Sequence, residues 1–171
     1  MGASLNYRRI DRAQLDQFLA DADAVVPFLA AESSQELAYQ RVRTGLAFDL
    51  DKSWHAVHFC LTGGGGRTRD PRGMIRADGR SLGSAELGLG PPWAVLPSEV
   101  ASFAAAIADV TVKDFFVRYE PALMRRQWVY GAAGLNETPV SFDYVWGCFF
   151  GLRNFVSAAA EHGDGLIGWM N

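Results

Sequence analysis

The strongest constraint on this chain lies near its end, where Val145, Phe149, Leu152, Val156 and Ala159 recur at intervals of four, three, four and three. That spacing puts all five on one face of an α-helix. Ser141 is the expected cap of this helix and Gly163 its expected stop. The run from Gly165 to Met170 that follows reads as a closing strand.

Earlier segments are shorter. Leu5, Tyr7 and Ile10 among polar neighbours predict a strand over 5–10. Asp11 with Gln14 forms a capping-box pattern ahead of Leu15, Phe18, Leu19 and Ala22, which predicts an amphipathic helix ending before Pro27. A weak helix is expected within 30–45, hinted at by Leu37 and Val42, with Arg41 and Arg43 toward solvent. Asp49 or Asp51 is the expected cap of the next helix, whose apolar stripe holds Trp54, Val57, His58 and Leu61. The stretch 63–92 is rich in glycine, proline and arginine and reads as an internal loop region.

Trp93 to Leu96 form an apolar run suited to a buried strand, and Pro97 suits the first position of a helix that buries Val100, Phe103, Ala104 and Ile107. Thr111 with Asp114 repeats a capping signal before Val112, Phe115, Phe116 and Tyr119, and Pro121 restarts or kinks the chain into a second short helix through Gln127. Helices outnumber a few short strands. The expected class is α+β, a single domain over 1–171 that is helix-rich with a small sheet of short strands, rather than a doubly wound parallel sheet.

Composition narrows the function classes. With 171 residues, 49% apolar and 20% charged, the chain can build one substantial core. A net charge of −3 supplies no general attraction to nucleic acid or to an anionic membrane, and neither is expected as a partner. Cys60 and Cys148 lie in apolar runs and read as buried free thiols of a reducing compartment. No stretch approaches the length of a membrane span, so a cytoplasmic location is the expectation.

One dense polar constellation stands out, from Asp49 to Gly66. His55 and His58 are three apart on a helix, with Asp51 one turn earlier, a spacing that can face a divalent cation. A zinc site normally takes three or four protein ligands, and only His162 and two scattered cysteines are on offer beyond the cluster, so no metal and no cofactor are expected. A second account makes His58 a general base, with Asp51 or a distant Glu161 or Glu120 orienting it and Lys52 and Thr62 lining a cleft. No nucleophile motif accompanies it. The plainer account makes His58 a core histidine bonded to backbone, His55 a surface residue, Trp54 a core anchor, and Lys52 a neutraliser of the aspartates.

The tetraglycine run follows a predicted helix, the reverse of a phosphate-binding loop, and lacks the G-K-S or G-K-T ending. The arginines that continue it, Arg67, Arg69 and Arg72 among them, suit either an anion or a solvated loop. Trp128 and Tyr130 beside Arg125 and Arg126 form either core or an exposed binding patch.

The start MGASLNYRRI, the block DLDKSWHAVHFCLTG, the LPSEV helix entry and the terminal GDGLIGWM resemble the YfbM-like family of small bacterial proteins of unknown function. The resemblance spans nearly the whole chain and is sharpest from Asp51 to Gly63. It implies a single cytoplasmic α+β domain and carries no catalytic residues across. The expected function is therefore a non-enzymatic binding or protein-interaction domain for an unidentified protein or small anionic ligand, using His55, Trp54, Thr62, Arg67, Arg69 and Arg72. The alternative is a hydrolase-like or other small-molecule enzyme built on His58, Asp51 and Lys52.

Overall fold

The last strand of the chain is the centre of its sheet. In the computed structural model, which describes residues 2–31, 42–76 and 79–171, β1 (Leu5–Ile10), β2 (Ala47–Asp49), β3 (Arg80–Ser81), β4 (Trp93–Val95) and β5 (Gly165–Met170) form one antiparallel sheet in the order β2-β1-β5-β4-β3. β5 pairs with β1 from Leu5↔Met170 to Ile10↔Gly165 and with β4 from Trp93↔Gly168 to Val95↔Leu166. The first and last described strands thus close the fold on each other, a contact of high loop-closure cost.

The α-helices that lie wholly among the described residues are α1 (Arg12–Ala20), α2 (Val25–Ala31), α3 (Trp54–Thr62), α4 (Pro97–Ile107), α5 (Val112–Val117), α6 (Pro121–Arg126) and α7 (Pro139–His162). Side chains alternate across the strands, so the sheet has two apolar faces. One carries Leu5, Tyr7, Val95 and Leu166 against α3, α4 and α7. The other carries Ile10, Ala94 and Ile167 against Leu15 and Phe18 of α1 and Val25 and Leu29 of α2. The five periodic residues of α7 are all fully buried, and Val145, Phe149, Leu152 and Val156 each contribute about 1.5–3 kcal/mol of apolar transfer. The architecture is α+β.

Several boundaries differ from expectation, each for a local reason. The first helix ends at Ala20, before a 3-10 turn, and Pro27 sits in the first turn of α2, where its missing amide costs no helix bond. α7 begins at Pro139 and its cap is Thr138, whose hydroxyl accepts from the Ser141 amide. α3 has no aspartate cap, because a 3-10 turn over Asp51–Ser53 precedes it and Asp49 instead accepts from the Asp51 amide at 2.6 Å. Ala47–Asp49 pairs as an edge strand too short to read from periodicity. The 63–92 stretch holds a 3-10 segment, Pro71–Arg76, and β3. The weak helix expected within 30–45 falls mostly outside the described residues. The Thr111–Asp114 box and the left-handed stop at Gly163 are as expected.

Candidate functional site

α3 is nearly all apolar, and His55 to Leu61 are buried without interruption. Its two histidines therefore sit where a charge would be expensive, and each ring is bonded to main chain. His55 accepts from the Tyr130 amide at Nδ1, 2.8 Å, which leaves Nε2 as the donor to the Gly65 carbonyl, also 2.8 Å. His58 donates from Nε2 to the Gly66 carbonyl at 2.8 Å. Thr62 adds a hydroxyl bond to the His58 carbonyl at 2.8 Å and lies 3.0 Å from the Gly64 carbonyl. Gln127 Oε1 accepts from the Gly65 amide at 3.0 Å. The tetraglycine turn is thus held from inside by His55, His58, Thr62 and Gln127.

This corrects one element of the plainer account. His55 is 4% exposed, not a surface residue. Its ring is stacked on Trp54 at 4.8 Å and 6°, and Trp54 is stacked on Tyr130 at 5.7 Å and 18°. The Trp54 indole donates to the Ala3 carbonyl, and the Tyr130 hydroxyl accepts from the Ala3 amide. A Cβ on Gly2 would fall 2.5 Å from the Lys52 stem and 2.8 Å from the Tyr130 hydroxyl, so a larger residue there would have to displace the ends of those side chains.

Asp51 makes its bonds to residues other than the histidines. Its carboxylate accepts from Tyr144 at 2.9 Å and Ser4 at 3.4 Å, and its φ is +47°, a left-handed value that aspartate tolerates better than most residues. Burial, reinforced by the hydrogen bond given to Asp51, pushes the Tyr144 phenol well above its ordinary range. Burial raises Asp49 as well, opposed by the bond it accepts from the Asp51 amide. Among the described residues Asp51 bonds to neither histidine, and the Lys52 ammonium, exposed, makes no ion pair with the aspartates. Glu161 and His162 end α7, 18 residues beyond Tyr144, which on an α-helix is about 27 Å away. Glu161 and His162 are therefore at the other end of the helix from Asp51.

The arginines diverge. Arg67 is exposed; Arg69 lines a cavity of about 420 Å³ beside β4 and the start of α4; Arg72 lines another of about 480 Å³ with Asp109, Asp114 and Arg118. They do not converge on one anion. Among the described residues no three His, Cys, Asp or Glu side chains are grouped to hold a metal ion, and no helix is long and apolar enough to cross a membrane. Burial pushes both cysteine thiols up, Cys60 far above its ordinary value.

Between the turn and Tyr130 lies Trp128. α6 ends in a Schellman motif: the Val129 amide bonds to the Met124 carbonyl at 2.9 Å and the Trp128 amide to the Arg125 carbonyl at 3.2 Å. Val129 and Met124 supply the apolar contact that goes with it, both buried. The position after the cap must be left-handed, and glycine usually fills it. Here it is Trp128, at φ +55°, with 90% of its surface in water. Such a φ in a bulky residue costs about 1–2 kcal/mol, and burial returns nothing. Sequence spacing placed Trp128 on a candidate patch without distinguishing core from surface; the Schellman geometry that ejects it depends on Gln127 and Val129 being tied to other elements.

A family model described as a domain of unknown function, DUF1877, matches residues 1–169. Among solved structures, the crystal structure of YfbM from Escherichia coli, a protein of unknown function, is similar at 17% identity with a TM-score of 0.64, covering 98% of this chain and 99% of that one. That likeness extends to the fold. No curated protein sequence matches.

Proposed function

The chain belongs to the DUF1877 family, YfbM-like and of unknown function, and from that premise we propose that it is a cytoplasmic, non-enzymatic interaction domain whose contact surface centres on Trp128. One observation carries this reading: a tryptophan is held in the conformation glycine would adopt at no cost, and its side chain is spent on solvent. Strained backbone persists where surrounding structure enforces it, and such positions cluster at functional sites. Exposed tryptophan and arginine are the side chains most often responsible for binding energy at protein interfaces.

The surroundings favour an acidic protein partner. Arg125 and Arg126 are exposed on the last turn of α6, directly before Trp128, and Arg125 is steadied by a bond to the Leu135 carbonyl at 2.9 Å. The histidine-held glycine turn lies against Gln127 and gives the patch a rigid floor. Rigid presentation lowers the ordering cost of association. By contrast, the polar atoms of His55, Thr62 and Asp51 bond to main chain or to neighbouring hydroxyls, which favours binding over turnover at that cluster.

The test is quantitative capture of partners from native cells by the untagged full chain and by Trp128→Gly. The expected result is a stoichiometric partner retained by the wild type and lost by the variant, with the variant folded. Repeated capture of nothing stoichiometric, or equal retention by Trp128→Gly, overturns the proposal.

A further inference from the structure

The clamped glycine turn has a second consequence on its far side. Once Gly65 and Gly66 are held by the histidines, the chain runs through Thr68 and Arg69 to Pro71 and walls a cavity of about 420 Å³ over β4 and the first turns of α4. That volume falls within the range of about 300–1,000 Å³ typical of small-molecule sites. Its apolar wall is Met74, Trp93 and Val95. The indole of Trp93 is locked by two glycines: a Cβ on Gly79 would fall 2.1 Å from it and one on Gly168 2.5 Å, so both positions are cleared to let the ring lie there.

Charge of both signs rings this wall. Arg69 lines the cavity and makes no hydrogen bond or ion pair among the described residues. Asp70 and Glu99 line it too. Each carboxylate is oriented by one oxygen, Asp70 Oδ1 accepting from the Arg72 amide at 2.8 Å and Glu99 Oε2 from the Leu96 amide at 2.7 Å, which leaves the other oxygen for a ligand. An anion would meet one guanidinium and two carboxylates, and a simple cation would leave Arg69 unanswered. A molecule bearing a carboxylate, an ammonium and an apolar body satisfies all three charges and the wall together.

We propose that this cavity binds a zwitterionic small molecule with a large apolar side group, of the α-amino-acid type. The site is separate from the Trp128 surface and does not depend on it.

The probes are L-phenylalanine, L-tryptophan and L-methionine, compared with phenethylamine, which lacks the carboxylate, and 3-phenylpropionate, which lacks the amine. Binding to the full chain is followed by calorimetry and by amide chemical shifts. At least one amino acid is expected to saturate, with shifts confined to 68–71 and 93–102, and to bind about tenfold or more tightly than either analogue, since each lost charge pair is worth about one such factor. Arg69→Gln, an exposed change that leaves the fold intact, is expected to weaken the amino acid about tenfold and leave phenethylamine unchanged. Trp128→Gly is expected to bind like the wild type. No saturable binding at millimolar concentration overturns the proposal, as does binding indifferent to Arg69→Gln, or binding of 3-phenylpropionate as tight as that of phenylalanine.

Discussion

Replacing Trp128 by glycine should make this protein more stable. The left-handed φ of +55° costs a bulky L-residue about 1–2 kcal/mol that glycine does not incur. Glycine in turn widens the unfolded ensemble, which takes back about 0.4–1 kcal/mol. A side chain 90% exposed has almost no packing to lose, and the Schellman bonds from Trp128 and Val129 are made by main chain, so they survive the change. The net gain is about 0.5–1 kcal/mol, which in a chain of this size raises Tm by about 1–4 °C. Urea denaturation at fixed pH, with the slope unchanged and the midpoint raised, is the measurement. Trp128→Asn should behave similarly, since asparagine tolerates the same φ, and Trp128→Val should fall below wild type, being β-branched. A Trp128→Gly protein less stable than wild type would refute the reasoning, because it would mean that the indole is held by contacts worth more than its strain.

Two further substitutions probe the scaffold beneath the patch. His55→Ala removes the acceptor of the Tyr130 amide, the donor to Gly65 and the stack on Trp54, and should cost about 2–4 kcal/mol, chiefly through orphaned buried main chain; hydrogen exchange at the Tyr130 amide should accelerate in step, and unaltered protection there would show the bond to be dispensable. Gly168→Ala puts a Cβ 2.5 Å from the Trp93 indole within the central strand and should cost about 1–3 kcal/mol, most of it recovered in Gly168→Ala with Trp93→Leu; a single variant as stable as the wild type would show that the ring moves freely.

The amphipathic elements were legible because their information is local. The stripe of α7, the Asp11 and Thr111 caps, Pro97 at the head of α4 and the stop at Gly163 each rest on residues a few positions apart, and all appear in the structure. The polar constellation was legible as a group of residues but not as a geometry. Its histidines are spent on Gly65, Gly66 and Tyr130, and which main-chain groups they meet depends on a segment 75 residues away in sequence.

What the sequence determined alone was the α+β class, the principal helices and the strands at both ends, since propensity, capping and periodicity act over a turn or two. Tertiary structure decided the rest. It made the closing strand the centre of the sheet, because β5 pairs with β1 on one side and β4 on the other and sends Leu166 into one core and Ile167 into the other. It also turned Trp128 outward, because the termination of α6 and the burial of Val129 and Met124 leave its Cβ no inward direction.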